Sequence, residues 1–415
     1  MYNCVKGNNS MEKVKFLILG AGPTGLTFAN RLNQKGENSF IVVEQEAEAG
    51  GLCRSVTVDG APFDIGGGHF LDVRRPNVND FLFQFMSKSE WKLFDRKSVI
   101  NINGKIIDHP LEANIWEFDI EEQVAYLESI AKAGCNSGIP APERFVDWIT
   151  WKFGYNISND YMLPYNRKMF AEELNELGTY WLEKLPNVSF AESIRSCLEH
   201  KAYGTQPGHA QFYYPNMYGY GEVWLRMANA IKKHMRYHAK AIELDCNEKS
   251  IRLESGGKIA ANIIIQTVPW RSFQKIIGMP DALLDSIMRL KHSSVETRYV
   301  PQNLDTTAQW IYIPDETVPY HRILVRHNFC GGSNGYWLET RQERTGKYDL
   351  DDPNYHYLNE YAYPLNTVEK PQIIKELLEF GRKKGIYGLG RWGEHSHYNS
   401  DCVVERAMRL VEELS

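Results

Sequence analysis

Three features of the sequence predict an α/β fold. An apolar run, Val14–Leu19, leads directly into a glycine-rich turn that is followed by a helix pattern. The middle of the chain is rich in helix-forming residues, and the stretch from about Val295 to Leu338 alternates aromatic and β-branched residues. We therefore expect an opening α/β domain to which a helical insertion and a second, antiparallel-sheet domain are added.

The opening turn has the pattern G-x-G-x-x-G. Gly20 allows the chain to turn sharply, and Gly22 removes a Cβ atom that would keep the backbone away from a pyrophosphate. Gly25 lets the following helix pack close to the strand, and Pro23 stands where that helix would begin. The helix N-terminus would then face the phosphates with its N–H groups and its positive dipole end.

An acidic residue follows the second predicted strand. Phe40–Val43 ends on Glu44, which is placed to accept hydrogen bonds from ribose hydroxyl groups. This strand–turn–helix–strand–acid order predicts a Rossmann-like dinucleotide-binding domain. The alternative interpretation is a glycine-rich turn in an ordinary α/β domain.

Length, charge and cysteine content limit the protein class. A chain of 415 residues is expected to form two or three domains. A net charge of -5 gives no basic surface for nucleic acid. The seven cysteines include no C-x-x-C pair, which predicts a reducing compartment, neither zinc nor disulfides, and no metal site. We find neither a signal sequence nor a membrane-spanning run, and expect a cytoplasmic protein.

Changes in composition along the chain indicate the domain boundaries. After the helix-rich middle, strand patterns return at Ala241–Leu244, Ser250–Leu253 and Ile263–Val268, and the last of these suits a strand buried on both faces. The expected domains are 12–78, 201–285 and 370–415 for the dinucleotide-binding domain, 79–200 for the helical insertion, and 286–369 for the antiparallel-sheet substrate domain.

Further glycine clusters suggest that backbone passes close to a ligand. Gly50-Gly51-Leu52 follows the acid-bearing strand, and Gly66-Gly67-Gly68-His69 comes shortly after it. Near the C-terminus, Gly390-Arg391-Trp392-Gly393 leads to a last amphipathic helix, for which Ser400 or Asp401 is a natural N-cap. Tight turns in a meander are the alternative for the first two clusters.

Taken in order, these motifs resemble the FAD-dependent amine oxidase and protoporphyrinogen oxidase superfamily. Within it, the middle of the chain is most similar to UDP-galactopyranose mutases of the eukaryotic type. The residues that carry this second resemblance are Pro164 to Lys168, Tyr214-Pro215, Gly219 to Gly221, Trp224, Trp310 to Asp315, Pro319, Arg322 and Tyr363-Pro364.

The resemblance implies FAD as the cofactor. It places Ile242 against the adenine and the N-terminus of the last helix beneath the flavin, where the helix dipole would favour the negative charge of the reduced ring. The residues implied to bind FAD are Gly20, Gly22, Pro23, Gly25, Glu44, Gly51, Leu52, Gly67, Gly68, Ile242, Gly390 and Asp401.

The resemblance also implies an activity, in which reduced flavin acts as a nucleophile on a UDP-sugar and pyranose and furanose forms interconvert. Arg391 and His69 are the implied catalytic residues. The implied substrate residues are Asn166 and Phe170 for the uridine, and Lys184, Arg298, Tyr363, Tyr398 and Asn399 for the diphosphate. A reductant is expected, either NAD(P)H or a flavin-reducing partner.

Departures from the mutase pattern fall on the substrate side. Glu48 stands where the family usually has an arginine, unless Arg54 replaces it, and His395, His397 and Tyr398 compete for one tyrosine position. Two alternatives stay open. One is an FAD-dependent oxidoreductase of the amine oxidase or protoporphyrinogen oxidase type. The other is a binding protein like the GDP-dissociation inhibitors, against which the complete Gly-Arg-x-Gly element argues.

Overall fold

The computed structural model describes residues 11–182, 187–204, 210–347 and 354–414. Its strands are β1 (Glu12–Leu19), β2 (Phe40–Val43), β3 (Ser55–Val58), β4 (Ala61–Asp64), β5 (Leu71–Asp72), β6 (Trp91–Asp95), β7 (Ser98–Ile102), β8 (Lys105–Asp108), β9 (Gln211–Pro215), β10 (Met235–Arg236), β11 (Ala241–Asp245), β12 (Ser250–Leu253), β13 (Lys258–Gln266), β14 (Lys275–Ile277), β15 (His292–Val300), β16 (Trp310–Tyr312), β17 (Arg322–Leu324), β18 (Tyr336–Arg341), β19 (His356–Pro364) and β20 (Ile386–Gly388). Its α-helices are α1 (Pro23–Gln34), α2 (Pro76–Leu82), α3 (Ile120–Ala131), α4 (Phe145–Ile157), α5 (Leu163–Met169), α6 (Phe190–Glu199), α7 (Gly221–Ala230), α8 (Asp281–Arg289), α9 (Lys370–Lys383), α10 (Gly390–Gly393) and α11 (Ser400–Leu414). The predicted α/β class is confirmed.

The chain divides into two compact units. The first comprises residues 1–53, 221–290 and 370–415, and the second comprises residues 54–220 and 291–369. The predicted helical insertion and the predicted antiparallel segment therefore lie in one unit. None of the six cysteines in the described part of the chain forms a disulfide. No helix among the described residues is both long enough and apolar enough to cross a membrane.

The first unit is built on a mixed sheet with the strand order β10-β2-β1-β13-β12-β11-β14, and β20 also pairs with β13. Strands β2, β1, β13 and β20 are parallel neighbours, so their carboxyl ends lie at one edge. The residues Phe16–Leu19 of β1 and Ile264–Gln266 of β13 are fully buried, as expected for parallel strands covered on both faces.

The second unit contains a seven-stranded sheet with the order β19-β15-β18-β17-β16-β7-β8. All its pairs are antiparallel except that of β16 with β7. On one face, apolar residues from α3, α4 and α5 form a core with Tyr312 and Tyr363. The opposite face has its own apolar cluster, which includes Ile311, Ile323 and Leu338.

One part of the predicted helical insertion is not helical. Residues 91–108 form β6, β7 and β8, and β7 extends the seven-stranded sheet by pairing with β16. The sequence Ser98-Val99-Ile100-Asn101-Ile102 is rich in β-branched residues, which favour a half-buried pleated surface. This local strand signal outweighs the helix-forming composition of the surrounding stretch.

Candidate functional site

The first unit has a helix N-terminus without a side-chain cap at the end of its central strand. β1 ends at Leu19, the chain turns through Gly20 and Gly22, and α1 begins at Pro23. The N-cap residue Gly22 has no side chain, and the first turn of α1 holds no acidic residue. The N–H groups of this turn and the positive end of the helix dipole are therefore suited to an anionic group.

Close backbone contacts explain two of the predicted glycines. A Cβ atom at Gly25 would lie 2.0 Å from the carbonyl oxygen of Gly20, so only glycine fits where α1 crosses the turn. A Cβ atom at Gly51 would lie 3.2 Å from the Cα atom of Gly22, and Gly51 has a φ angle of +54°. The structure thus brings the Gly51-Leu52 turn against the opening glycine motif.

The carboxylate of Glu44 lies beside the same turn. Its Oε2 atom accepts a hydrogen bond from the N–H of Ala21 at 2.8 Å, and its Oε1 atom accepts one from Glu46 at 3.0 Å. The backbone carbonyl of Glu44 accepts a hydrogen bond from the N–H of Ala239 at 2.8 Å, three residues before Ile242. Ile242 lies at a bulge in β11, so the structure places both predicted residues in this unit.

The last helix, α11, packs parallel to α1. Near the C-termini of the two helices, Glu412 pairs with the Arg31 Nη2 atom at 2.9 Å and with the Lys35 Nζ atom at 2.6 Å. At the other end, a Cβ atom at Gly390 would lie 2.2 Å from the Thr24 Oγ1 atom, so the segment before α11 lies against the start of α1. The positive dipole ends of both helices therefore lie near the carboxyl edge of the parallel strands.

The residues between α10 and α11 are held by an arginine. The Arg391 Nε and Nη2 atoms donate hydrogen bonds to the Tyr398 carbonyl oxygen at 3.0 and 2.8 Å. The carbonyl of Asn399 accepts the hydrogen bond of Val403 N–H, and α11 begins at Ser400, with Asp401 buried in its first turn. Arg391 thus fixes the loop that carries the predicted residues Tyr398 and Asn399.

In the second unit, the predicted Gly67–His69 segment contacts the antiparallel sheet. The N–H of Gly68 donates a hydrogen bond to the Glu339 Oε1 atom at 3.3 Å. A Cβ atom at Gly67 would lie 2.3 Å from the same oxygen. The His69 Nδ1 atom is 3.1 Å from the carbonyl oxygen of Gly67, and its ring stacks against Tyr220 with centroids 6.4 Å apart.

Glu339 belongs to a buried cluster of charged and phenolic groups. It pairs with Arg322 through the Arg322 Nε atom at 3.0 Å and through Nη2, and Nη2 also donates to the Tyr363 hydroxyl at 3.2 Å. Burial alone would raise the pKa of Glu339, but the charge of Arg322 and the contact with His321 lower it to about 2. Burial lowers the pKa of His321 to about 4, so that ring is neutral at pH 7.

The same face of the sheet carries further predicted substrate residues. Phe170 packs edge-to-face on Tyr363 with ring centroids 6.2 Å apart. The buried Asn166 side chain donates a hydrogen bond to the Met162 carbonyl oxygen, just before α5, at 2.6 Å. The Arg96 Nη2 atom donates to the Tyr312 hydroxyl at 2.6 Å. Two guanidinium groups and several phenols thus lie on the side of the sheet that carries Phe170.

Arg298 lies on the opposite face. It pairs directly with Leu338 across β15 and β18, whereas its neighbour Thr297 pairs with Glu339. Because side chains alternate along a strand, Arg298 points away from the face that carries Arg322. Its guanidinium instead lies 3.2 Å from the Glu296 Oε1 atom. The structure does not bring Arg298 together with Phe170 and Tyr363.

The sequence interpretation assigned no role to three charged groups on the side of the sheet that carries Phe170, namely Arg96, Arg322 and Glu339. Arg322 is one of the residues that carry the resemblance to the mutases, and its place among them could have identified it as a site residue. Arg96 lies in the stretch expected to be helical.

Lys184 lies outside the described residues. Among the described residues, no group of three or more His, Cys, Asp or Glu side chains could hold a metal ion.

A buried carboxyl group lies just before the Gly66–His69 segment. The Asp64 side chain accepts hydrogen bonds from the Ser55 hydroxyl at 2.5 Å, from the Tyr214 hydroxyl at 3.0 Å and from the Tyr220 N–H at 3.1 Å. Despite these three donors, complete burial raises the pKa of Asp64 to about 7. Asp64 therefore anchors this segment through a group that titrates near neutral pH.

We expect Asp64 to make the folded protein less stable as the pH rises. The folded chain keeps the proton between about pH 4 and 7, where the unfolded chain has released it, so the free energy of unfolding falls across this window. Between pH 5 and 8 this contribution amounts to about 2 to 3 kcal/mol. Urea unfolding at the two pH values should show this loss in the original protein but not in Asp64→Asn. Asp80→Asn, at an exposed position, is the control, and an equal loss in Asp64→Asn would contradict the assignment.

Comparisons with known proteins agree with this architecture. Residues 18–85 match the family model of the NAD(P)-binding Rossmann-like domain. The chain is 36% identical over 75 residues to an inactive all-trans-retinol 13,14-reductase from Danio rerio. It is also 38% identical over 53 residues to an uncharacterised protein of the nifH2 3' region of Methanothermococcus thermolithotrophicus. These matches cover 18% and 13% of this chain, and the chain spans only 12% and 50% of the two relatives.

Solved structures match nearly the whole chain. A reduced UDP-galactopyranose mutase has a TM-score of 0.87 at 22% identity, with 97% of this chain and 95% of the mutase covered. A protein assigned as a protoporphyrinogen oxidase from Exiguobacterium sp. has a TM-score of 0.71 at 14% identity, and a putrescine oxidase variant has 0.64 at 14%; each comparison covers 98% of this chain and 99% of the other. The resemblance predicted from the sequence is therefore confirmed for the fold. The chain has the Rossmann-like α/β fold that these three proteins share.

Proposed function

We propose that the protein is an FAD-dependent sugar-nucleotide isomerase of the UDP-galactopyranose mutase type. The observation that carries this proposal is the half-buried Arg322 beside Tyr363 and Phe170, on the face of the sheet that also holds Arg96. The full-length likeness to a reduced UDP-galactopyranose mutase supports it. The protein is therefore expected to bind a nucleoside diphosphate that carries a sugar.

The first unit fits the dinucleotide part of FAD. The N-terminus of α1 has no side-chain cap, Gly22 and Gly51 leave room for a pyrophosphate, and Glu44 is placed for ribose hydroxyl groups. Asp401 and the N-terminus of α11 are proposed to lie at the flavin, where the helix dipole favours negative charge. Reduced flavin would supply the nucleophile that allows a sugar ring to open and reclose.

The charged groups around Arg322 favour an anionic substrate. The cations there are Arg96, Arg322 and the buried Lys168, the carboxylate is Glu339, and His321 is neutral. A low local dielectric strengthens the attraction of these cations for a diphosphate and their repulsion of an amine. We propose that Arg322, rather than Arg298, contributes the guanidinium of the diphosphate site, because a planar guanidinium can bind phosphate oxygens in pairs.

The remaining predicted residues keep their proposed roles. Phe170 would stack on the uracil ring and Asn166 would hydrogen-bond it, while Tyr363 would donate its hydroxyl proton to the diphosphate. The positions of Tyr398 and Asn399 depend on Arg391, since Arg391 donates hydrogen bonds to the Tyr398 carbonyl oxygen, just before α11. Arg391 and His69 stay the proposed catalytic residues, and Arg391 is proposed in addition to order this loop.

Binding experiments separate this proposal from the amine oxidase alternative. We expect the purified protein to show a flavin absorbance spectrum and to bind UDP, measured by titration calorimetry, with no detectable binding of putrescine. Putrescine binding with oxygen consumption and without UDP binding would instead support an oxidoreductase of the amine type. A colourless protein that does not bind added FAD would contradict both.

Replacing Glu44 should weaken FAD binding. In Glu44→Ala the Ala21 N–H loses a buried partner and the ribose loses its acceptor, a cost of about 1 to 3 kcal/mol, so the Kd for FAD should rise about tenfold or more. Glu48→Ala, four residues later at an exposed position, is the matched control. Calorimetric titration of the flavin-free protein with FAD measures the effect. Equal Kd values for the two variants would remove Glu44 from the FAD site.

A further inference from the structure

The first unit contains a concave pocket that is separate from the glycine turn. Its volume is about 260 Å³, and it lies between α9, the end of β20 and α11. No residue from 20–25 lines it. Its lining residues include Arg382, Tyr387, Glu394, Arg406, Arg409 and Glu413.

Two of these arginines are available to a ligand. Arg382 and Arg409 are exposed, and neither forms an ion pair with another described residue. Arg382 lies over the Tyr387 ring at 6.0 Å from its centroid. Both side chains therefore present positive charge at the pocket without a bound carboxylate.

The third arginine, Arg406, forms an ion pair through only part of its guanidinium group. The Arg406 Nε atom donates to Glu394 Oε2 at 2.8 Å, and its Nη2 atom contacts Oε1 of the same carboxylate. Glu394 is 6% exposed and also accepts a hydrogen bond from the Gly390 N–H at 2.8 Å, so its charge is satisfied within the protein. The Nη1 group of Arg406 lies outside this pair, and Glu413 is the pocket's remaining acid.

We propose that this pocket binds a small phosphate ester that carries hydroxyl groups. Arg382, Arg409 and the Nη1 group of Arg406 would contact the phosphate, because guanidinium groups form strong charge-assisted hydrogen bonds to phosphate oxygens. Glu413 would accept a hydrogen bond from a hydroxyl group of the ester. A volume of about 260 Å³ is below that of typical cofactor pockets, so a dinucleotide is excluded by size.

Titration calorimetry with inorganic phosphate and with glycerol 3-phosphate tests this proposal on the protein as purified, both without UDP and with UDP present to occupy the proposed substrate site. Arg382→Gln and Arg409→Gln should each weaken the binding of both compounds about fivefold to tenfold. Glu413→Gln should tighten the binding of inorganic phosphate about twofold to fivefold, because a like charge is removed, and should lower the preference for glycerol 3-phosphate. Lys383→Gln, the next residue of α9 and not part of the lining, should change neither Kd by more than about twofold.

Two results would overturn the proposal. One is the absence of binding by either compound to the original protein. The other is an equal effect of Lys383→Gln and Arg382→Gln, which would indicate a general attraction of the surface for anions. Because every readout is a Kd for inorganic phosphate or glycerol 3-phosphate, these results do not depend on whether the protein isomerises a sugar nucleotide.

Discussion

Arg322→Ala is expected to lower kcat/KM for a UDP-sugar about 100-fold or more while FAD stays bound. Removing the charge partner of the buried Glu339 carboxylate costs about 2 to 5 kcal/mol, and the diphosphate would lose its paired contact. Flavin absorbance measures the retained cofactor, and initial rates at several substrate concentrations give kcat/KM. Loss of flavin together with activity would contradict the proposed role of Arg322.

Arg298→Ala is the matched control for this prediction. Both arginines lie on the same sheet and pair with a glutamate, Arg322 with Glu339 and Arg298 with Glu296, but on opposite faces. We expect Arg298→Ala to lower kcat/KM less than about fivefold. Arg322→Lys keeps a positive charge near Glu339. Compared with Arg322→Ala, it should have a higher melting temperature but little more activity, which separates an effect on catalysis from an effect on folding. If Arg298→Ala lowered kcat/KM by more than this, Arg298 would again be the candidate for the diphosphate site.

Gly25→Ala should abolish FAD binding. The new methyl group would lie 2.0 Å from the Gly20 carbonyl oxygen, so α1 must move away from the turn that is proposed to hold the pyrophosphate. In an unobstructed helix the same change would stabilise by about 1 kcal/mol, so a loss has to arise from this contact. Flavin content per protein after gel filtration should fall to less than about a tenth, and the melting temperature should fall with it.

A second position in the same helix tests whether this effect is local. Gln34→Ala, at the exposed end of α1, should leave both flavin content and melting temperature nearly unchanged. If Gly25→Ala retained its flavin, α1 could move without loss of the site. The close-packed arrangement of turn and helix would then have no role in FAD binding.

Much of the first unit was predictable because its signals are local. The glycine pattern after an apolar run predicted the turn before α1, and the spacing of Val403, Val404, Ala407 and Leu410 predicted α11. The buried run Ile263–Val268 predicted a parallel strand, and β13 ends at Gln266 within that stretch. These assignments depend on a few neighbouring residues and not on the rest of the chain.

The arrangement of side chains on the sheet face that carries Arg322 could not be predicted in the same way. Whether Arg298 or Arg322 faces Phe170 depends on the register of β15, β17 and β18, which is set by contacts far apart in the sequence. Arg96 comes next to Tyr312 only because β7 pairs with β16 across more than two hundred residues. The burial of Asp64, which raises its pKa, likewise depends on Tyr214 and on the chain at Tyr220.

The most direct test of the account is turnover of UDP-galactopyranose without oxygen, with and without reduction of the flavin by dithionite. We predict that chromatography will show a UDP-sugar of furanose form from the reduced protein only, and that Arg322→Ala will yield almost none. No furanose product from a protein whose flavin is fully reduced and which binds UDP would contradict the proposed isomerisation.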